Sequence, residues 1–136
     1  MTTPTPQSPS LVNFAGSAES SFVIAEWEDH GGVSGPTFPI APLHVHHSDD
    51  EAWYVIEGVL QVRAGDEILE AHAGSCLFVP RGKPHTYWNG CPDRLRYLLI
   101  MTPRIYALIG AIHAMEARNP AALKAVFERF ESEYLG

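Results

Sequence analysis

Six turn signals break residues 21–101 into short pieces, and that punctuation decides the fold class. They are "HGGVSGP" (30–36), "HSDD" (47–50), "AGDE" (64–67), "HAGS" (72–75), "PRGKP" (80–84) and "NGCPD" (89–93). Gly, Pro, Asn and Asp gather where the backbone must reverse. The pieces between them, from "SFVIAEWED" (21–29) to "RLRYLLIM" (94–101), are rich in β-branched and aromatic residues. Such residues suit the pleated surface of a strand. Closely spaced strands with turns between them predict an all-β barrel or sandwich.

The period changes after residue 101. Thr102-Pro103 predicts an N-cap followed by proline at the first helical position. Ile105, Leu108, Ile109 and Ile112 then recur at helical spacing. Asn119-Pro120 starts a second helix, whose stripe is read as Leu123, Val126, Phe127, Phe130 and Tyr134. Two amphipathic helices are therefore expected to close the chain, their stripes covering a barrel end or a dimer contact. His113 lies off the first stripe and reads as a surface residue. The 136 residues fit one domain. It divides into a mobile N-terminal segment (1–15), a barrel (16–102) and a helical extension (103–136).

Composition narrows the partners. Residues are 46% hydrophobic and 18% charged, a balance that folds rather than staying disordered. The net charge of −7, with no Lys/Arg cluster, argues against nucleic acid and anionic membranes. The start "MTTPTPQSPS" lacks the basic and apolar regions of a signal peptide, and no apolar run reaches the ~18 residues of a membrane span. A cytoplasmic protein with free thiols is expected. Cys76, in "SCLFVP", reads as buried and Cys91 as part of a turn.

The candidate chemistry lies in "PLHVHHSDDEAWYVIEG" (42–58), which holds three of the seven histidines. Alternation along a strand puts His44 and His46 on one face and His47 on the other. A hairpin turning at 47–50 would set His46 opposite Glu51, with Cβ atoms ~4.5–5.5 Å apart. Asp49 and Asp50, at the turn tip, read as solvated. Two imidazoles and a carboxylate on one face are costly to bury alone. A divalent transition metal (Fe, Mn, Ni, Co, Cu or Zn) is a natural partner; a polar barrel mouth without metal is the alternative. In "AGSCLFVPRGKPHTYWNG" (73–90), alternation puts His85, Tyr87 and Asn89 on one face, and His85 is the candidate fourth ligand.

These two stretches resemble the two motifs of the cupin superfamily. The first runs His44-Val45-His46, four residues, Glu51, six residues, Gly58; the second runs Gly74, Pro80-Arg81-Gly82, His85, Asn89. One departure is Phe38, where the family carries a glycine. The resemblance covers roughly residues 36–102. It implies a cupin-type jelly-roll β-barrel binding one metal ion through His44, His46, Glu51 and His85. The helical extension makes the chain similar to small single-domain cupins of the quercetin 2,3-dioxygenase-like type.

Around that site, Trp53, Tyr87, Leu98 and Ile100 are expected to line a substrate pocket, with core packing as the alternative for Trp53 and Tyr87, and Val55, Leu60 and Val62 are also turned inward. Arg81 and Lys83 lie on a turn near the barrel mouth, where they would steer an anion or simply be solvated. Glu51 is the candidate catalytic residue, a ligand that also serves as a base. The expected activity is that of a dioxygenase-type oxidoreductase acting on a small enol- or catechol-like molecule. The alternatives are a non-redox isomerase, cyclase or lyase, and a binding protein without turnover. A homodimer is expected from barrel edges and helix stripes.

Overall fold

The computed structural model describes residues 9–32 and 34–136. Its elements in order are β1 (Ser10–Ala15), β2 (Val23–Asp29), β3 (Ala41–His46), β4 (Glu51–Glu57), β5 (Val59–Ala64), β6 (Glu67–His72), β7 (Cys76–Val79), β8 (His85–Asn89), β9 (Leu95–Met101), α1 (Pro103–His113), α2 (Pro120–Arg129) and β10 (Ser132–Tyr134). The strands make two five-stranded antiparallel sheets, ordered β1-β2-β9-β4-β7 and β10-β3-β8-β5-β6. This is the expected all-β jelly roll followed by two helices. The turns fall where Gly, Pro and Asp were read. Gly58, for instance, has φ +90°, and a Cβ there would lie 2.5 Å from the Arg94 carbonyl oxygen. Only glycine fits so tight a link between β4 and β5.

The core fills the space between the sheets. Trp53, Val55, Leu60 and Val62 are completely buried. On β9 the buried residues are Leu95, Tyr97, Leu99 and Met101. Leu98 and Ile100, expected to face inward, instead share the outer face with Arg96, which pairs with Glu26 at 2.8 Å. The stretch "LRYLLIM" is apolar on both faces, so its period does not reveal which face is the core; the charge on Arg96 marks the outside. That outer sheet face also exposes Phe22, Tyr54 and Phe78. Cys76, expected to be buried, is exposed on the edge strand β7, opposite Tyr54; Cys91 is half-buried, and both are free thiols.

The turn at 47–50 does not close a hairpin. β3 pairs with β8 and β10, whereas β4 pairs with β7 and β9. The turn therefore carries the chain from one sheet to the other, and His46 lies opposite Ser132 in register while Glu51 lies opposite Val79. A four-residue polar turn serves a hairpin or an arch between sheets equally well, so local sequence cannot distinguish them. The two aspartates are not merely solvated. Asp49 is buried, 3.5 Å from Arg104, and Asp50 accepts from the Arg81 backbone N–H at 2.8 Å and from its guanidinium.

Both helices start as expected. Thr102 accepts from the Ile105 N–H and Asn119 from the Ala122 N–H, each with proline following. Ile105 joins the barrel core, and Leu108, Leu123 and Phe127 form a second cluster between the helices. The end of α2 differs from the sequence reading. It stops at Arg129, Glu131 turns the chain at φ +55°, and Ser132–Tyr134 add β10 to the edge at β3. Tyr134 keeps its apolar contact with this cluster from a strand rather than a helix. Ser10–Ala15, placed by sequence in the mobile segment, form β1 against β2; residues 1–8 lie outside the described residues. Among the described residues no helix is long and apolar enough to cross a membrane.

Candidate metal centre

Four side chains converge between the sheets. His44 and His46 come from β3, and His85 comes from β8, opposite His44 in register. Glu51 reaches them from β4 in the other sheet. All four are buried, and their ligand atoms lie within 4.8 Å of one another. His44 Nε2 is 3.1 Å from His46 Nε2, and Glu51 Oε1 is 3.2 Å from His46 Nε2 and 2.5 Å from His85 Nε2.

The far nitrogen of each ring is held. The Nδ1–H of His44 donates to the Pro42 carbonyl at 2.6 Å, and that of His85 to the Lys83 carbonyl at 3.0 Å. The Nδ1–H of His46 donates to the Ser132 hydroxyl at 2.7 Å, which in turn donates to the Phe130 carbonyl at 3.2 Å. Carbonyls only accept, so these contacts place a proton on each Nδ1 and turn each Nε2 inward, where it offers a lone pair to a cation or, when the His46 or His85 ring is protonated, an N–H to Glu51. Two such lone pairs then face each other in His44 and His46. With the buried carboxylate beside them, they fit a divalent cation well: three neutral imidazoles and one anion, each imidazole braced from behind.

The electrostatics at His44 and Glu51 agree with that donor set, while His85, without an ion, is drawn toward its protonated form by Glu51. Burial, then the neighbouring His85 and His46, push the His44 pKa down to about 3, so its lone pair stays free across the neutral range. Burial alone would raise Glu51, but hydrogen bonds from His46 and His85 and their charges hold it well below the usual carboxylate range. Burial lowers His85, and the Glu51 carboxylate and Lys83 carbonyl outweigh that and raise it.

A cavity of about 260 Å³ opens onto His44, His46 and Glu51. Tyr87 lines it, as expected of a pocket residue. Trp53 lies behind the site with its ring edge-on to His85 at 5.9 Å, and belongs to the core rather than to the wall. Leu98 and Ile100 do not contribute. His47 is exposed, as its opposite parity implied. Arg81 is tied to Asp50, and Lys83 serves the site through its backbone carbonyl. Asn89 is a turn organiser, donating to Asp29 at 2.9 Å and to the Asp93 carbonyl at 2.7 Å.

Sequence reasoning missed two groups. Ser132 sits far beyond both motifs and carried no local signal. The helices do more than cover an end: Ile105, Leu108 and Phe127 form cavity wall, and the Phe127 ring packs 5.3 Å from that of His44. Their apolar stripes were visible; their target was not.

Comparison with known proteins agrees with this picture. A family model described as a cupin domain matches residues 34–101, half of the 136-residue chain. A protein of Streptomyces coelicolor described as the uncharacterized protein SCO3923 is 32% identical over 57 residues, 42% of this chain. The matched segment spans about half, 53%, of that relative's length. The crystal structure of TT1209 from Thermus thermophilus superposes with a TM-score of 0.59 at 23% identity, covering 73% of this chain and 87% of that one. A sugar phosphate isomerase of the cupin superfamily from Silicibacter pomeroyi gives 0.51 at 22% identity, covering 61% and 51%. At these identities the structural likeness speaks for the fold.

Proposed function

The chain belongs to the cupin family, and we propose that it is a metal-dependent oxygenase of a small, largely apolar enol- or catechol-like molecule. The observation that carries the reading is the convergence of three Nδ1-braced imidazoles and one carboxylate, with His44, His46 and Glu51 opening onto a mostly apolar cavity. A redox-active divalent ion held by His44, His46, Glu51 and His85 would supply a site for substrate chelation and for electron transfer to O2.

The chain's own residues have definable tasks. The imidazoles and their braces fix the donor geometry. Glu51 stays ionised and can accept a substrate proton at a carboxylate oxygen. Trp27, Ile105, Leu108 and Phe127 surround the substrate body and exclude water. Tyr87 stays neutral, raised first by burial and then by the Glu51 charge, so it offers a hydroxyl rather than an anion.

The test is O2 consumption by protein loaded with Fe(II) or Mn(II), presented with flavonol, diketone and catechol substrates. Uptake coupled to product supports the reading, and no uptake across all three classes overturns it. A second reading, a non-redox metal isomerase or lyase, draws on the Silicibacter pomeroyi likeness. Equal turnover with Zn(II) under nitrogen would select it. A cavity wall made mostly of apolar side chains suits an apolar body better than a sugar. The reading also takes the protein as a homodimer that buries the exposed Phe22, Tyr54 and Phe78 face, which light scattering of the purified chain tests.

A further inference from the structure

The cavity has a second chemical end. Above the metal ligands its wall is apolar, carried by Ile40, Ile109, Ile112 and Leu123 among others. Two basic side chains, His113 and Arg118, complete the lining. Both are exposed although they line the cavity, which puts them at its rim. Glu51 is the single acidic residue of that lining. Arg81, Arg94, Arg96 and Arg104 each have a carboxylate partner, whereas Arg63, Arg118 and Arg129 pair with no carboxylate among the described residues, and of these three Arg118 lines the cavity. His113 stacks edge-on to Trp27, with ring centroids 5.9 Å apart. Burial, then the Arg118 charge, lowers the His113 pKa, so at neutral pH it adds a hydrogen bond rather than a second charge.

We propose that this rim holds the anionic end of the substrate: the cavity takes a carboxylate on an apolar body, with Arg118 as the specificity-determining residue and the other end of the molecule turned toward the metal ligands. The inference rests on reading the cavity as the substrate site. The physical case is that Arg118 is an unpaired planar guanidinium, its five donors matched to a carboxylate, standing where an apolar channel meets water. Apart from an ion held by His44, His46, Glu51 and His85, the described residues of the cavity wall offer an anion no other permanent positive charge.

Calorimetric titration of the full chain with 4-phenylbutanoate and with 4-phenylbutan-1-ol, each with and without Mn(II), tests this. The expected result is a carboxylate preference of about tenfold, the size of one charge-assisted contact. Arg118→Met should abolish the preference and leave alcohol binding unchanged; Arg118→Lys should keep part of it. Equal affinity of the two probes for wild type, a preference that persists in Arg118→Met, or no binding of either would overturn the proposal. Because the preference is read in both metal states, it stands or falls independently of the O2 assay.

Discussion

His46 and Ser132 are 86 residues apart in sequence and joined by a 2.7 Å hydrogen bond. The bond exists because the last strand returns from the helices and pairs Ser132 with His46 on β3. The C-terminal extension thus ends by bracing a candidate metal ligand.

Replacing Ser132 with alanine removes the acceptor for the His46 Nδ1–H and frees the ring to turn. Loss of such a brace weakens metal binding about 10- to 100-fold. Competition against a chromophoric chelator measures this directly. An unchanged dissociation constant would mean that His46 holds its orientation without Ser132.

Phe127 couples the helices to the same site from the other side. It is 1% exposed, clustered with Leu108 and Leu123, and packed on the His44 ring. Phe127→Ala should lower stability by about 3–5 kcal/mol, through lost burial and the cavity left behind. A urea titration reads the loss as a lower midpoint. Phe127→Leu, which keeps part of the volume, should fall between the two. A midpoint in Phe127→Ala matching wild type would show that the helices are not part of the cooperative core.

Tyr97 sets the alkaline limit. It is fully inside the barrel, and burial, then the adjacent Tyr87, raises its pKa well above the usual value. The unfolded chain would lose this proton near pH 10, about the ordinary tyrosine value. The neutral form is therefore favoured by folding. Its contribution is complete below about pH 10 and is lost as pH rises toward the folded-state pKa. Denaturation midpoints should fall steeply above that pH, and Tyr97→Phe should flatten the fall. A midpoint independent of pH there in the wild type would contradict the assignment.

Much of this was legible in the sequence because it is local. Turn chemistry marked the strand breaks, Thr102 and Asn119 marked both helix starts, and alternation put His44 and His46 on one face. What failed was long-range. The parity of β9 was hidden because "LRYLLIM" is apolar on both sides. The arch at 47–50 reads locally as a hairpin because strand partners are set by the whole sheet. The two readings differ in what holds Glu51 near His46. In a hairpin it is direct pairing; here it is two sheets packing face to face, with the side chains meeting across the gap at 3.2 Å. Ser132 was invisible for the same reason: nothing near it in sequence indicates that β10 ends beside β3.

The central claim is that His44, His46, Glu51 and His85 form one metal centre. Elemental analysis after anaerobic loading with Fe(II) or Mn(II) and desalting tests it most directly. The account predicts one ion retained per chain in wild type and none in a His44→Ala/His85→Ala double variant that keeps the native circular dichroism spectrum. Wild-type protein that retains no metal above the blank, or a double variant that retains as much as wild type, would contradict it.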